Sequence, residues 1–182
     1  MPSIETERLL LRMVRREDLD DMAALFADPN VMRFVGNGET AGREVAERAL
    51  DSIIEHWRVH GFGRWTVVDK HTRKFVGFGG LRSLFGMPEV VYHLAKQHWG
   101  HGMATEVGRA ALRFGFEERG YESIVAIIKP GNVASIRVME KLGLRFEKNA
   151  RYYDMDVLQY RIHRDDFRGD GSAYSVLPDE NS

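Results

Sequence analysis

Gly100 and Gly102 stand one residue apart in the stretch KQHWGHGMATE (Lys96–Glu106), after an apolar run and before an amphipathic one. Between a strand and a helix, such glycines let successive backbone amides close around phosphate, and the helix N-terminus adds unsatisfied N–H groups and a favourable dipole. A nucleoside-triphosphate loop requires Gly-Lys-Ser/Thr, a triplet the chain lacks. The dinucleotide fingerprint G-x-G-x-x-G starts at Gly100 and Gly102 but meets Thr105 in place of the third glycine. The following strand ends at Lys129, where a ribose-binding acid should stand. A pyrophosphate of another kind is left.

Other residues that could do chemistry are scattered. His56 and His60 are four apart on one helix, as metal ligands can be, but no third ligand or H-E-x-x-H pattern accompanies them. A helix surface and no metal is the expectation. His98 and His101 flank the glycine turn, and Arg137 and Lys141 are four apart on a later helix, where they could meet a phosphate or simply face solvent. Phe34, Trp57, Trp65 and Tyr152 could line an acceptor pocket or fill the core.

The elements that must position these residues follow from periodicity. Glu5–Val14 reads as a first strand, and Leu19, Met22, Ala23 and Phe26 recur at helical spacing until Asp28-Pro29 ends the run. Ala46, Ala49, Leu50, Ile53 and Trp57 trace one face of a second helix, with Gly61 as its stop. Arg64–Asp69 and Lys74–Leu81 read as a hairpin, followed by a strand at Pro88–Ala95. The helix after the turn directs Val107, Ala111 and Phe114 inward; Gly108 and Gly115 within it imply close packing on a sheet. Glu122–Ile128 is the nearly continuous apolar run of a buried parallel strand. Lys129-Pro130-Gly131 breaks it, Asn132 is placed to N-cap a helix carrying Val133, Ile136 and Met139, and Gly143 stops that helix. Two closing antiparallel strands follow. The expected order is β-αα-βββ-α-β-α-ββ: a mixed α/β fold of about seven strands with helices on both faces. Residues 1–167 form the domain, and 168–182 are expected to be a loose polar tail.

The chain's 182 residues suit one domain. With 26 Lys and Arg against 27 Asp and Glu, no basic excess points to nucleic acid. Zero cysteine excludes disulfides, thiolate metal sites and a cysteine nucleophile. No long apolar segment or signal peptide is evident, so a cytoplasmic location without membrane partners is the default expectation. A homodimer is the expected assembly, dimers being the commonest oligomers.

The stretch HWGHGMATEVGRAALRFGFEERGYESIVAIIKPGNVASIRVMEKLGLRFE resembles the acetyl-CoA-binding core of the GNAT family of N-acetyltransferases. TERLLLRMVRREDLDDMAALFADPNVMRFVG resembles the RimJ/RimL-like branch of that family, and the likeness runs from about Thr6 to Phe167. The family's turn motif, Q/R-x-x-G-x-G/A, fits at Gln97, Gly100 and Gly102, or at Trp99, Gly102 and Ala104. The branch pattern favours the second register. The resemblance then implies that amides of Trp99, Gly100, His101, Gly102, Met103, Ala104 and Thr105 hold the pyrophosphate of acetyl-CoA, with Asn132 near the pantetheine arm. It implies a backbone N–H at Leu94 that polarises the thioester carbonyl. Glu89 occupies the position of a branch glutamate and becomes the candidate general base, with Asp154, Asp156 or Tyr92 as substitutes and a solvated strand-end carboxylate as the competing account. Many members carry a tyrosine acid seven residues after the capping asparagine, but here Met139 stands there. The branch offers Ser135 instead, or a serine that merely satisfies its own helix. Phe34, Tyr92 and Tyr152 are the candidate acceptor-binding residues. The implied activity is direct acetyl transfer from acetyl-CoA to a primary amine: a protein N-terminus, a polyamine or another small amine. A GNAT-fold acyl-CoA-binding module without efficient catalysis is the alternative.

Overall fold

A computed structural model describes residues 1–178. One mixed sheet of nine strands runs through the domain in the order β7-β8-β6-β5-β4-β3-β2-β1-β9. Its strands are β1 (Ser3–Thr6), β2 (Leu9–Arg12), β3 (Arg64–Asp69), β4 (Phe75–Leu84), β5 (Met87–Leu94), β6 (Ser123–Ile128), β7 (Arg145–Tyr152), β8 (Met155–His163) and β9 (Tyr174–Leu177). The helices are α1 (Leu19–Ala27), α2 (Pro29–Met32), α3 (Arg43–His60), α4 (Met103–Arg113) and α5 (Val133–Lys141).

The expected helix faces are present: Ala46, Leu50, Ile53 and Trp57 of α3 are buried, as are Val107, Ala111 and Phe114 along and just after α4. Gly61 closes α3 in the left-handed region. Two strands exceed the expected seven. Glu5–Val14 is not one strand but the hairpin β1–β2, turned at Glu7-Arg8, where the Leu9 N–H donates to Thr6 Oγ1 at 3.1 Å. The region expected to be a loose tail contributes β9, which pairs along the whole of β1. Residues 179–182 of that tail lie outside the described residues. Among the described residues no helix is long and apolar enough to cross a membrane.

Neighbouring residues of a strand point to opposite faces, which places the helices. Thr66 of β3 donates to Asp18 at the start of α1 (2.6 Å), whereas Trp65 packs edge-on against Phe114 at the end of α4 (5.0 Å). So α1 and α4 cover opposite faces. Asp18 also accepts from Arg12 (2.6 and 2.9 Å) and from the Arg15 N–H. Burial alone would raise its pKa, but these donors hold it below the ordinary carboxylate range. Gly115 lets α4's extension meet Ile124 of β6 and Leu81 of β4. Gly108 instead faces Leu142 beyond α5, so the sheet-packing expectation holds at one glycine only.

The feature that makes a site is a split in the sheet. β5 and β6 are parallel and pair at a single position, Glu89 with Val125. Beyond it, towards Leu94 and Ile128, they diverge.

Candidate active site

A cavity of about 460 Å³ lies at the split, and its lining comes from both faces of the sheet. Phe34 and Val35, just after α2, line one side; Thr105 of α4 and Ser135 and Met139 of α5 line the other, with Glu89–Leu94 and Ala126–Lys129 between them.

At the α4 end, the turn from Ala95 to Gly102 has both glycines in the left-handed region, Gly100 at φ 79° and Gly102 at φ 78°. Both are positions where a side chain would be strained. Gly102 is the N-cap of α4 and carries no side chain to cap it, and the first N–H to return into the helix is that of Glu106, to Gly102 O at 3.1 Å. The N–H groups of Met103, Ala104 and Thr105 therefore stay open to a ligand, as at any uncapped helix start. Trp99 does something the motif register does not reveal: its indole N–H donates to Leu94 O at 2.8 Å, fixing the end of β5. His98 has Nε2 3.1 Å from Phe75 O and also lines the cavity, and His101 holds Arg8 through its backbone oxygen (2.8 Å).

Arg8 belongs to a clamp that sequence reasoning missed. Glu106, in the first turn of α4, accepts from the Thr6 hydroxyl (2.6 Å), the Arg8 N–H (2.9 Å) and Arg8 Nε (2.7 Å). Burial would raise the Glu106 pKa, yet these donors lower it, so the carboxylate is ionised and neutralised beside the helix start. No local spacing links Thr6 and Arg8 to a residue a hundred positions away.

The thioester end lies deeper. Ala95 N–H bonds Val76 O of β4, so the alternation of the strand turns the Leu94 N–H and C=O towards the split. Asn132 caps α5, its Oδ1 accepting from the Ser135 N–H at 3.2 Å. Tyr92 reaches Ser135, but its hydroxyl is buried without a full hydrogen bond. Burial pushes that phenol up to about 12, with the Ser135 hydroxyl opposing. Met139 is buried among apolar neighbours.

Glu89 sits at the apex of the split and is only 2 % exposed. Arg82, directly across on β4, meets it with Nε at 2.6 Å and Nη2 at 3.3 Å. Burial pushes the Glu89 carboxyl up from its ordinary value, against the pull of Arg82, Arg64 and the Ile127 N–H. A solvated strand-end carboxylate it is not.

Of the acceptor candidates, Phe34 and Tyr92 line the cavity. Tyr152 stands apart: its hydroxyl donates to Gln159 (2.7 Å) and its ring stacks on Phe85 at 5.7 Å, where the β4–β5 and β7–β8 turns meet. Asp154 and Asp156 pair with Arg151 on the exposed side of that hairpin. Trp57 and Trp65 are core. His56 spends both ring nitrogens on backbone groups, Phe62 O and the Ser83 N–H.

The parallel strand pair that splays, the amide-rich turn and the capped helix beyond it define an acetyltransferase of the GNAT class. Residues 8–145 match the acetyltransferase (GNAT) domain family, and the chain belongs to it. It is similar to YkkB of Bacillus subtilis (34% identity, 85% of this chain and 92% of that one) and to the N-acetyltransferase YoaA of the same species (28%, 84% and 88%). Among solved structures, the acetyltransferase of Agrobacterium tumefaciens superposes with a TM-score of 0.80 at 26% identity, over 90% of this chain and 95% of that one.

Proposed function

We propose that this chain transfers the acetyl group of acetyl-CoA directly to a primary amine, within the RimJ/RimL-like branch of the family. The observation that carries the reading is the single cavity at the split, lined both by the open amides of the α4 turn and by the buried Glu89 carboxylate. The residues fit a pyrophosphate-bearing thioester: Trp99 to Thr105 supply the turn, and Arg137 and Lys141 of α5 line the same end of the cavity.

An alkylammonium ionises near a pKa of about 10.4, so a base must neutralise it before attack. Glu89 takes that proton, through water where the amine does not reach it. The Leu94 N–H polarises the carbonyl whose carbon the amine attacks. As the carbon–sulfur bond breaks, the nitrogen sheds its second proton, and Ser135 relays it to the departing thiolate. Tyr92, held protonated by burial, steadies Ser135. The products are an acetylated amine and free coenzyme A.

Met139 favours a second reading, a GNAT-fold acyl-CoA-binding module without efficient turnover. Thiol release from acetyl-CoA across a panel of primary amines separates the two. The catalytic reading expects amine-dependent release that Ser135→Ala slows while acetyl-CoA binding is kept. Binding without amine-dependent release from any member would favour the module.

A further inference from the structure

The face of the sheet that carries Glu89 carries other ionisable groups, and Arg82, Arg64 and His93 stand around it. Alternation along the strands puts Glu89 and His93 of β5 on one side, and cross-strand pairing adds Arg82 opposite Glu89 and Arg64 of β3 opposite Gly80. This is the α1 side, because Thr66, two residues after Arg64, bonds Asp18.

The charges on that face do not cancel. Glu89 is matched by Arg82. Arg64 has no carboxylate within ion-pair distance among the described residues. Burial, and then the neighbouring Arg82, push the Arg64 guanidinium down to about 10, so it is still charged at neutral pH. His93 is pushed down to about 3 by burial, Arg64 and Arg82, and is neutral. Glu89, His93 and Lys129 line the cavity itself, with Arg64 and Arg82 beside it on the same sheet face; Lys129 lies against the loop at Gly38, and Arg33 stacks over Phe34 at 4.6 Å.

Several acids of the domain are engaged with other partners. Glu147 serves Arg161 and Gln159, Asp154 and Asp156 serve Arg151, and exposed Glu39 accepts from Asn37. Tyr153, at the tip of the β7–β8 turn, sets its ring 5.8 Å from Arg82.

Arg64 is half-buried, and the carboxylate that attracts it, Glu89, is already bound by Arg82, which leaves one positive charge in excess for a ligand to match. Arginine's planar fork suits a carboxylate or a phosphate. A polyamine would bring several positive charges to a face that is already positive. Resting on the acetyltransferase reading above, we infer that the acceptor is an amine that also carries a compact anionic group, held by Arg64 beside the Arg82–Glu89 pair. Arg64 is then the specificity determinant, and the anion sets the amine between Glu89 and the thioester.

The test uses the full chain and four sets of amines: free α-amino acids, the same amino acids as carboxamides, O-phosphoethanolamine, and spermidine. The expected result is a kcat/KM for at least one carboxylate- or phosphate-bearing amine about tenfold or more above its uncharged counterpart, with spermidine weaker still. The carboxylate and phosphate arms tell the two anions apart. Arg64→Gln should bring the ratio close to one by raising KM with little change in kcat, and Arg64→Lys should keep part of it. Spermidine or the carboxamides being used equally well would overturn the inference, as would an unchanged ratio in a folded Arg64→Gln enzyme. Should that variant not fold, the wild-type ratio decides. Should no amine release thiol while acetyl-CoA still binds, the acceptor part of the proposed function fails. Calorimetry of N-acetyl amino acids against their amides, with coenzyme A present, then decides the anion question. Equal binding, or none, overturns it.

Discussion

Glu89 and Arg82 face each other across two strands in a nearly dry place, and this pairing changes what the glutamate can do. A carboxylate at the ordinary value is a weak base towards an ammonium; one raised by burial is better matched. Because the shift is upward, the protonated form, which could not act as the proposed base, persists to a higher pH than for a free glutamate. The acid limb of kcat/KM should therefore lie above the ordinary carboxylate range, with activity rising as Glu89 loses its proton. Glu89→Gln should lower kcat by about 10²–10⁴-fold and abolish that limb, with acetyl-CoA affinity retained. A variant that kept both its rate and its acid limb would remove Glu89 from the mechanism. Part of this was legible beforehand: a glutamate opening the strand before the turn is visible in the sequence, its partner is not. Arg82 is seven residues away on another strand, and only the β4–β5 register brings the two together.

The elements were legible where a periodic apolar face is long, and misread where a partner far along the chain decides. α3, α4 and β6 have strong patterns and form as expected. The break between β1 and β2 carries no glycine or proline; Thr6 and Arg8 turn there because Glu106 of α4 accepts their donors. In the same way β9 exists because β1 offers an unpaired edge, a property no tail composition encodes. α4 is held at both ends: by Arg8 and Glu106 at its start, and by close packing at Gly115 after its end. A β-carbon on Gly115 would stand 2.5 Å from Ile124 Cδ1 and 3.2 Å from Leu81 Cδ1. Gly115→Ala should therefore destabilise the fold by about 1–3 kcal/mol, since overpacking forces neighbours off their preferred positions. Thermal unfolding would show this as a melting temperature several degrees lower, with kcat little changed, because the active-site residues lie at the other end of α4. An undiminished melting temperature would mean the core can yield at that point.

On the scale of the whole molecule, two halves of the sheet meet at one residue pair, and the cavity lies at the gap beyond it. A ligand that spans the gap, touching the α4 turn, β5 and α5 together, should stabilise the fold by mass action. Acetyl-CoA at about a hundred times its dissociation constant should add about 2.7 kcal/mol, a rise of roughly 5–10 °C in melting temperature for a domain this size. No shift at millimolar acetyl-CoA would contradict the cofactor assignment. Features written locally were legible in the chain alone: the glycine turn at Gly100 and Gly102, the helix start that follows it, the Asn132 cap and the inward faces of α3 and α4. Each rests on backbone conformation or on contacts a few residues apart, and composition records those directly. Long-range packing decided where β5 and β6 part, that Arg82 and not Arg64 forms the ion pair with Glu89, and that Glu106 draws the N-terminal hairpin onto the glycine turn. These depend on strand register and on pairs up to a hundred residues apart, and no one-dimensional spacing carries that distance.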